Sequence, residues 1–297
     1  MSTTQIANNA IHKRTGRRQA RRITGIFVYI FTGLCTLLSL GLLLYLLIFL
    51  LIKGIGAINW EFLTSQAATV GEAGGGIAAS LSGTAIIVAI AALLGVPFGI
   101  LIGIYLAELA PANSKFATMA RLAINSFLGI PSIIVGLFVY IVVVVPMRNF
   151  SALAGGIALA IVMVPILART AEDVMRLVPG SIREAGLALG IPTWRVVLGL
   201  VIPSARAGVI TGTVLAVARV AGETAPLILT ALGNEFINLD VTKPTDELTL
   251  RILKYARGPY DTWHQQAYGA AFVLVAAVAL AALLLRVATR GRGMKIQ

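Results

Sequence analysis

Arg219 and Glu223 have types and spacing that promise chemistry. They stand four residues apart, on one face of any helix running through the apolar stretch from Ala207 to Leu232. A guanidinium stays charged at physiological pH and presents a planar set of donors that matches a tetrahedral oxyanion, whereas an ammonium acts as a point charge. An ionisable side chain inside an apolar span marks a pathway, here for an anion; the alternative is a purely structural intramembrane ion pair. Glu223 is placed to neutralise Arg219 when no anion is present, which lowers the desolvation cost and prevents permanent trapping of an anion. Counted from Ala207 at about 1.5 Å per residue, Arg219 lies roughly 18 Å into a barrier about 30 Å thick. Pro226 has no N–H to offer the carbonyl of Gly222, so the helix is weakened beside the pair.

A second break falls at Gly129-Ile130-Pro131-Ser132 in the preceding run. Ser132 and Asn125 suit a polar path there, although a proline kink between packing helices gives the same sequence. Arg169 and Glu172 end the fourth apolar run, either as guards of an exit or as anchors at the interface.

These residues need a scaffold, and composition defines it. The chain has 297 residues, 58% of them apolar and 12% charged, with mean hydropathy +0.91. Apolar runs at Ile26–Ile52, Ile77–Ala107, Leu122–Pro146, Asn149–Ala168, Ala207–Leu232 and Gln265–Leu285 give six spans of an all-α integral membrane protein. Strand alternation is absent, which argues against a barrel. The net charge of +12 would suggest nucleic acid in a soluble protein; here the basic residues gather at span ends, so no nucleic-acid partner is expected. Cys35 is the one cysteine, which leaves no disulfide framework and no cysteine metal site.

Charge sets the orientation. A tail over residues 1–25 carries Lys13, Arg14, Arg17, Arg18, Arg21 and Arg22 without an acidic residue, and a first span over 26–52 follows. With both termini inside, 17 of the 24 Lys and Arg residues fall on the cytoplasmic side and six outside. The remaining bounds are an outer loop over 53–76, a membrane domain over 77–288 and a tail over 289–297. Within the domain lie a cytoplasmic loop over 169–206 and an outer loop over 233–264. In that outer loop, Asp246 and Glu247 before Lys254, Arg257 and Gly258-Pro259 predict a short helix, either a partner surface or a simple connector.

The cytoplasmic loop reads EAGLALGIPTWRVVLGLVIP from Glu184 to Pro203. Ser181 and Glu184 fit a capping box for a helix starting at Ile182. Gly190 suits the left-handed stop, Pro192 prevents continuation, and Thr193 caps a second helix from Trp194. The resulting corner leaves Ala185, Leu187 and Leu189 for a groove on a partner.

This segment resembles the EAA loop of ABC-importer permeases: Glu184 and Ala185 open it, Gly190 follows and Pro203 closes it. Gly186, Leu200 and Ile202 depart from the usual Ala, Ile and Leu. Further stretches resemble the permease subunits of phosphate-specific importers, nearest to their A-type. They are Gly75–Glu108, Gly129–Tyr140, Arg169–Ala185 and ARVAGETAPLILTALG from Ala218 to Gly233. The resemblance implies a type I ABC-importer arrangement in the cytoplasmic membrane, a homologous second permease subunit, two ATPase subunits holding ATP-Mg and an extracytoplasmic phosphate-binding protein. It implies ATPase coupling through Glu184, Ala185 and Gly190, and a phosphate pathway at Arg219 and Glu223; Ser132 and Arg169 are further pathway candidates on residue chemistry alone. No metal or catalytic residue is implied on this chain. No G-x-x-x-x-G-K-[ST] loop occurs, so nucleotide hydrolysis belongs elsewhere. Phosphonate, sulfate or molybdate as cargo, an ion-driven secondary transporter and a non-transporting scaffold all remain open on residue chemistry alone.

Overall fold

The computed structural model describes residues 3–68, 74–111 and 113–290, so part of the first outer loop and the C-terminal residues 291–297, with Arg292 and Lys295, lie outside it. The described residues are helical, with two isolated β-bridges and no strand. The chain divides into two units after Ile52. The first is most of one helix, α1 (Thr3–Gly54), whose Arg21–Gly54 portion is long and apolar enough to cross a membrane. The predicted tail is therefore helical and continuous with the span.

In the second unit, α2 (Trp60–Thr64) precedes α3 (Ala78–Ile104), which runs on through a π-helical turn at Tyr105–Leu109. Next come α4 (Lys115–Leu128) and α5 (Ser132–Val139), which is prolonged by a π turn at Tyr140–Val144 into α6 (Val145–Met147). Helix α7 (Ala152–Arg176) reaches well past the predicted end at Ala168. Then follow α8 (Gly180–Ala188), α9 (Thr193–Val196), a third π turn at Val197–Val201 and α10 (Ile202–Val220). The chain closes with α11 (Ala225–Ile228), α12 (Leu248–Ala256) and α13 (Asp261–Arg290).

Among the described residues, five helical segments are long and apolar enough to cross a membrane, and the bent pair Lys115–Leu128 with Ser132–Met147 makes a sixth if it counts as one span. The predicted third span is thus two helices meeting at 102°. Pro131 is the cause: it cannot donate within a helix, and it pushes Ile130 out of the helical region.

The central packing is α3 on α7. Buried residues of α3 recur every fourth position, Ala79, Gly83, Ile87, Ala91, Gly95, Gly99 and Gly103. Such a stripe of small residues lets two backbones approach closely where no water drives the association. A Cβ on Gly99 would sit 2.5 Å from the Cβ of Leu167, and one on Gly103 equally close to that of Ala171. The apolar core around this seam joins Ile87, Leu159, Met163 and Leu167 to Ala216, Val220 and Leu227.

Candidate functional site

Two chain breaks meet at the site. Helix α10 stops at Val220; Gly222 and Glu223 make tight turns back to the carbonyls of Arg219 and Val220, at 3.2 and 3.1 Å. The one-face pairing of Arg219 with Glu223 therefore does not form. Gly222 is a poor helix residue and the Pro226 ring would clash with its carbonyl, so the helix ends before Glu223 can complete the turn. Opposite lies the start of α5, where Ser132 Oγ donates to Glu223 Oε2 at 3.1 Å. Close contact is possible because Gly136 has no side chain: a Cβ there would lie 2.6 Å from Pro226 Cα.

The predicted pair Ser132 and Glu223 is thus brought together, and Arg219 is left with an exposed guanidinium and no carboxylate partner among the described residues. Arg169 is engaged elsewhere, its Nε donating to Asp173 at 3.0 Å, with both side chains about half exposed. The nearby carboxylate that sequence singled out, Glu172, is buried and accepts from Arg121 at 2.7 Å and Arg176 at 2.6 Å. Glu172 is therefore a clasp between α4 and α7.

The corner between α8 and α9 has the predicted shape with different capping. Pro179, not Ser181, precedes the first turn of α8, and no side chain caps it; Thr193 likewise sits inside α9, behind Pro192. Proline fixes φ near the helical value and so starts both helices without a side-chain acceptor. Gly190 takes φ +72°. Its N–H donates to Leu187 O at 2.9 Å and that of Ile191 to Gly186 O at 3.3 Å, a Schellman stop. Glu184, Ala185, Leu187, Leu189 and Gly190 are exposed. Gly186, the departure from the usual Ala, is buried, and a Cβ there would lie 2.8 Å from Val196 Cγ2.

The structure adds residues that sequence spacing did not reveal. Arg183 forks onto Glu108, Nε to Oε2 at 2.8 Å and Nη2 to Oε1 at 2.5 Å, and also donates to the carbonyls of Met175 and Val178 at 2.9 and 2.7 Å. This holds α8 to the end of the α3 span and caps the end of α7; the 75 residues between the partners leave no local signal. The predicted outer helix exists as α12, with Glu247 as its cap, accepting from Thr249 N at 2.7 Å and Leu250 N at 3.3 Å. Arg251 is buried on Asp246, with Nη2 to Oδ2 at 2.7 Å.

Long helices, a broken span beside a broken helix end and a two-helix corner define a permease of the type I ABC-importer fold. Two crystal forms of the inward-facing MetNI methionine ABC transporter align over 73% of this chain and 94% of theirs. Their TM-scores are 0.59 and 0.57 at 20% and 19% identity. The chain belongs to the family of binding-protein-dependent transport system inner membrane components, whose profile matches residues 99–290. Among its relatives, the phosphate transport system permease protein PstA of Yersinia pestis is 41% identical over 79% of both chains. That of Haemophilus influenzae is 39% identical over 81% of this chain and 83% of its own. The probable PstA of Methanocaldococcus jannaschii is 36% identical over 84% and 88%.

Proposed function

We propose that this protein is the A-type permease subunit of an ATP-driven importer that moves inorganic phosphate through the cytoplasmic membrane. The observation carrying the proposal is the unneutralised Arg219 beside the Ser132–Glu223 contact, where two spans are broken at one place. Irregular backbone within a span is stable where it faces protein or a water-filled path, and a free guanidinium there offers an anion a directional partner. Phosphate rather than another oxyanion is supported by the PstA relatives. Arg169 lies farther along the route, on its i,i+4 partner Asp173.

The exposed corner at Glu184, Ala185 and Gly190 docks on an ATPase subunit, which binds ATP-Mg and transmits its closure through α9 and α10. A homologous second permease, a pair of ATPases and an extracytoplasmic phosphate-binding protein complete the assembly. The test is phosphate uptake by the reconstituted complex with ATP inside the vesicles. ATP-dependent uptake that Arg219→Ala reduces at least tenfold is the expected result; wild-type uptake by that variant removes the pathway role. Uptake that persists without any ATPase subunit removes the coupling and favours an ion-driven transporter.

A further inference from the structure

Thr249, in the first turn of α12, has one hydroxyl proton and two acceptors. Its Oγ lies against Glu247 Oε2 and stands 3.3 Å from the backbone carbonyl oxygen of Glu223. It can donate to only one of them at a time. When Glu247 is ionised, its carboxylate takes that proton along with the backbone N–H groups of Thr249 and Leu250, and the Glu223 carbonyl loses its donor. When Glu247 is protonated, the proton sits on Oε1 because Oε2 faces the two backbone N–H groups; Oε2 is then a weaker, neutral acceptor, and the Thr249 proton passes to the Glu223 carbonyl. The Glu223 turn is then tied to α12. One proton exchanged with solvent balances the step.

We propose that Thr249 is a positioning residue for the Glu223 turn, and that Glu247 decides through Thr249 whether the turn is tied or free. The proposal rests on the reading of Glu223 as part of the anion route.

The setting suits such a switch. Glu247 is 1% exposed and lies against α3, whose Thr84 hydroxyl stands 3.3 Å from Oε1 and 2.7 Å from the Ser80 carbonyl, so it too has a choice of acceptors. No ionisable residue occurs in α3 or α11. Within the outer segment, Asp246 is adjacent and is held by Arg251, whose Nη1 donates to Tyr255. Farther along, Lys254 is held by Glu235. The first turns of helix α13, which packs on α12, carry Asp261, His264 and Tyr268, with His264 on the Gly258 carbonyl; its other ionisable residues, Arg286 and Arg290, are at the far end. Burial pushes the Glu247 carboxyl up to about 7 despite the hydrogen bonds that favour its charged form, and the neighbouring Asp246 pushes in the same direction.

The experiment compares variants with wild type in the reconstituted complex from pH 5.5 to 8.5, on the order of 1.5 units either side of an acid titrating near 7. The ratio of variant to wild-type uptake cancels the change in phosphate speciation. Glu247→Gln, whose amide oxygen takes the place of Oε2 as a permanently neutral acceptor, matches wild type at the acid end and departs from it at least threefold at the alkaline end. Thr249→Val, which has no proton to give, matches at the alkaline end and departs at the acid end. Thr249→Ser keeps the wild-type profile. Constant ratios across the range for both Glu247→Gln and Thr249→Val overturn the proposal, as does a Thr249→Ser profile equal to that of Thr249→Val. If Thr249→Val fails to assemble, the isosteric Glu247→Gln decides. Glu223→Gln separates the two levels: normal uptake by it removes the pathway reading, whereas impaired Glu223→Gln with constant ratios in the other two variants removes the relay alone.

Discussion

Arg219 holds no carboxylate among the described residues, unlike the arginines that build the scaffold. Arg121, Arg176, Arg183 and Arg251 each close on a buried carboxylate and so belong to the architecture. An exposed side chain without a partner contributes little to stability, so Arg219→Ala leaves the unfolding free energy within about 0.5 kcal/mol of wild type while uptake falls. Denaturation in detergent beside the uptake assay checks both halves; a large loss of stability makes Arg219 structural. Glu247 predicts the converse, a large effect on stability with a definite sign. Its folded-state value lies above its unfolded one, so its contribution is fully present below about pH 4.5 and is lost as pH rises through about 7. The loss is on the order of 3 kcal/mol, and the fall in Tm between pH 5 and 8 is smaller in Glu247→Gln. An equal fall in both proteins overturns it. The residue types of the site were legible in the sequence, but the partnerships were not. The expected Arg219–Glu223 pair assumed an unbroken helix, and Pro226 with Gly222 ends it one residue after Arg219.

At the scale of elements, the corner at Gly190 and the clasp at Arg183 fix one short helix from opposite ends. Proline cannot adopt φ +72°, so Gly190→Pro breaks the Schellman stop. ATPase activity in that variant no longer tracks transport, as simultaneous assay of both would show; normal coupled uptake refutes the role of the corner. Arg183→Ala leaves Glu108 buried without its cation, a change that costs about 3–5 kcal/mol. The measured loss is expected at the low end because the Arg side chain is about a quarter exposed. The corner was legible because Gly-Ile-Pro is local chemistry, and α12 because acid-first, base-last order is local as well. The clasp joins positions 108 and 183, and such a contact has no local trace. The α3 stripe did have a trace, small residues at every fourth position, but high apolarity on all sides of the helix masked it. Gly99→Leu drives a side chain into Leu167 and lowers stability by about 1–3 kcal/mol or more.

For the whole molecule, the long apolar helices and their approximate places followed from composition, because about 20 apolar residues are needed to cross and few other constraints compete. Boundaries moved wherever a helix outran its apolar stretch: α7 continues to Arg176, and the fifth span begins at Thr193, inside the predicted cytoplasmic loop. The loop and the span are consequently one body from α9 to Val220. Orientation is decided by labelling: with Cys35 replaced, a single cysteine at Leu189 reacts only with reagent supplied to the cytoplasmic face, and one at Phe236 only from outside. Both positions are exposed; reaction from the same side at both overturns the six-span topology.

The π turn at Val197–Val201 carries one residue more than a regular turn in the middle of that body. Each residue of an α-helix advances the azimuth by about 100°, but the wider turn absorbs its extra residue, so the corner and the face of α10 that ends at Arg219 keep the heading they would have in an unbroken helix one residue shorter. Deleting a single valine there closes the turn into ordinary α-helix, keeps the span apolar and leaves both ends aimed as before. A deletion in the regular turns after Ile202 instead swings one end about a quarter-turn against the other. The slack of this helix is thus stored in one turn, and a one-residue change is absorbed there but not a few residues on.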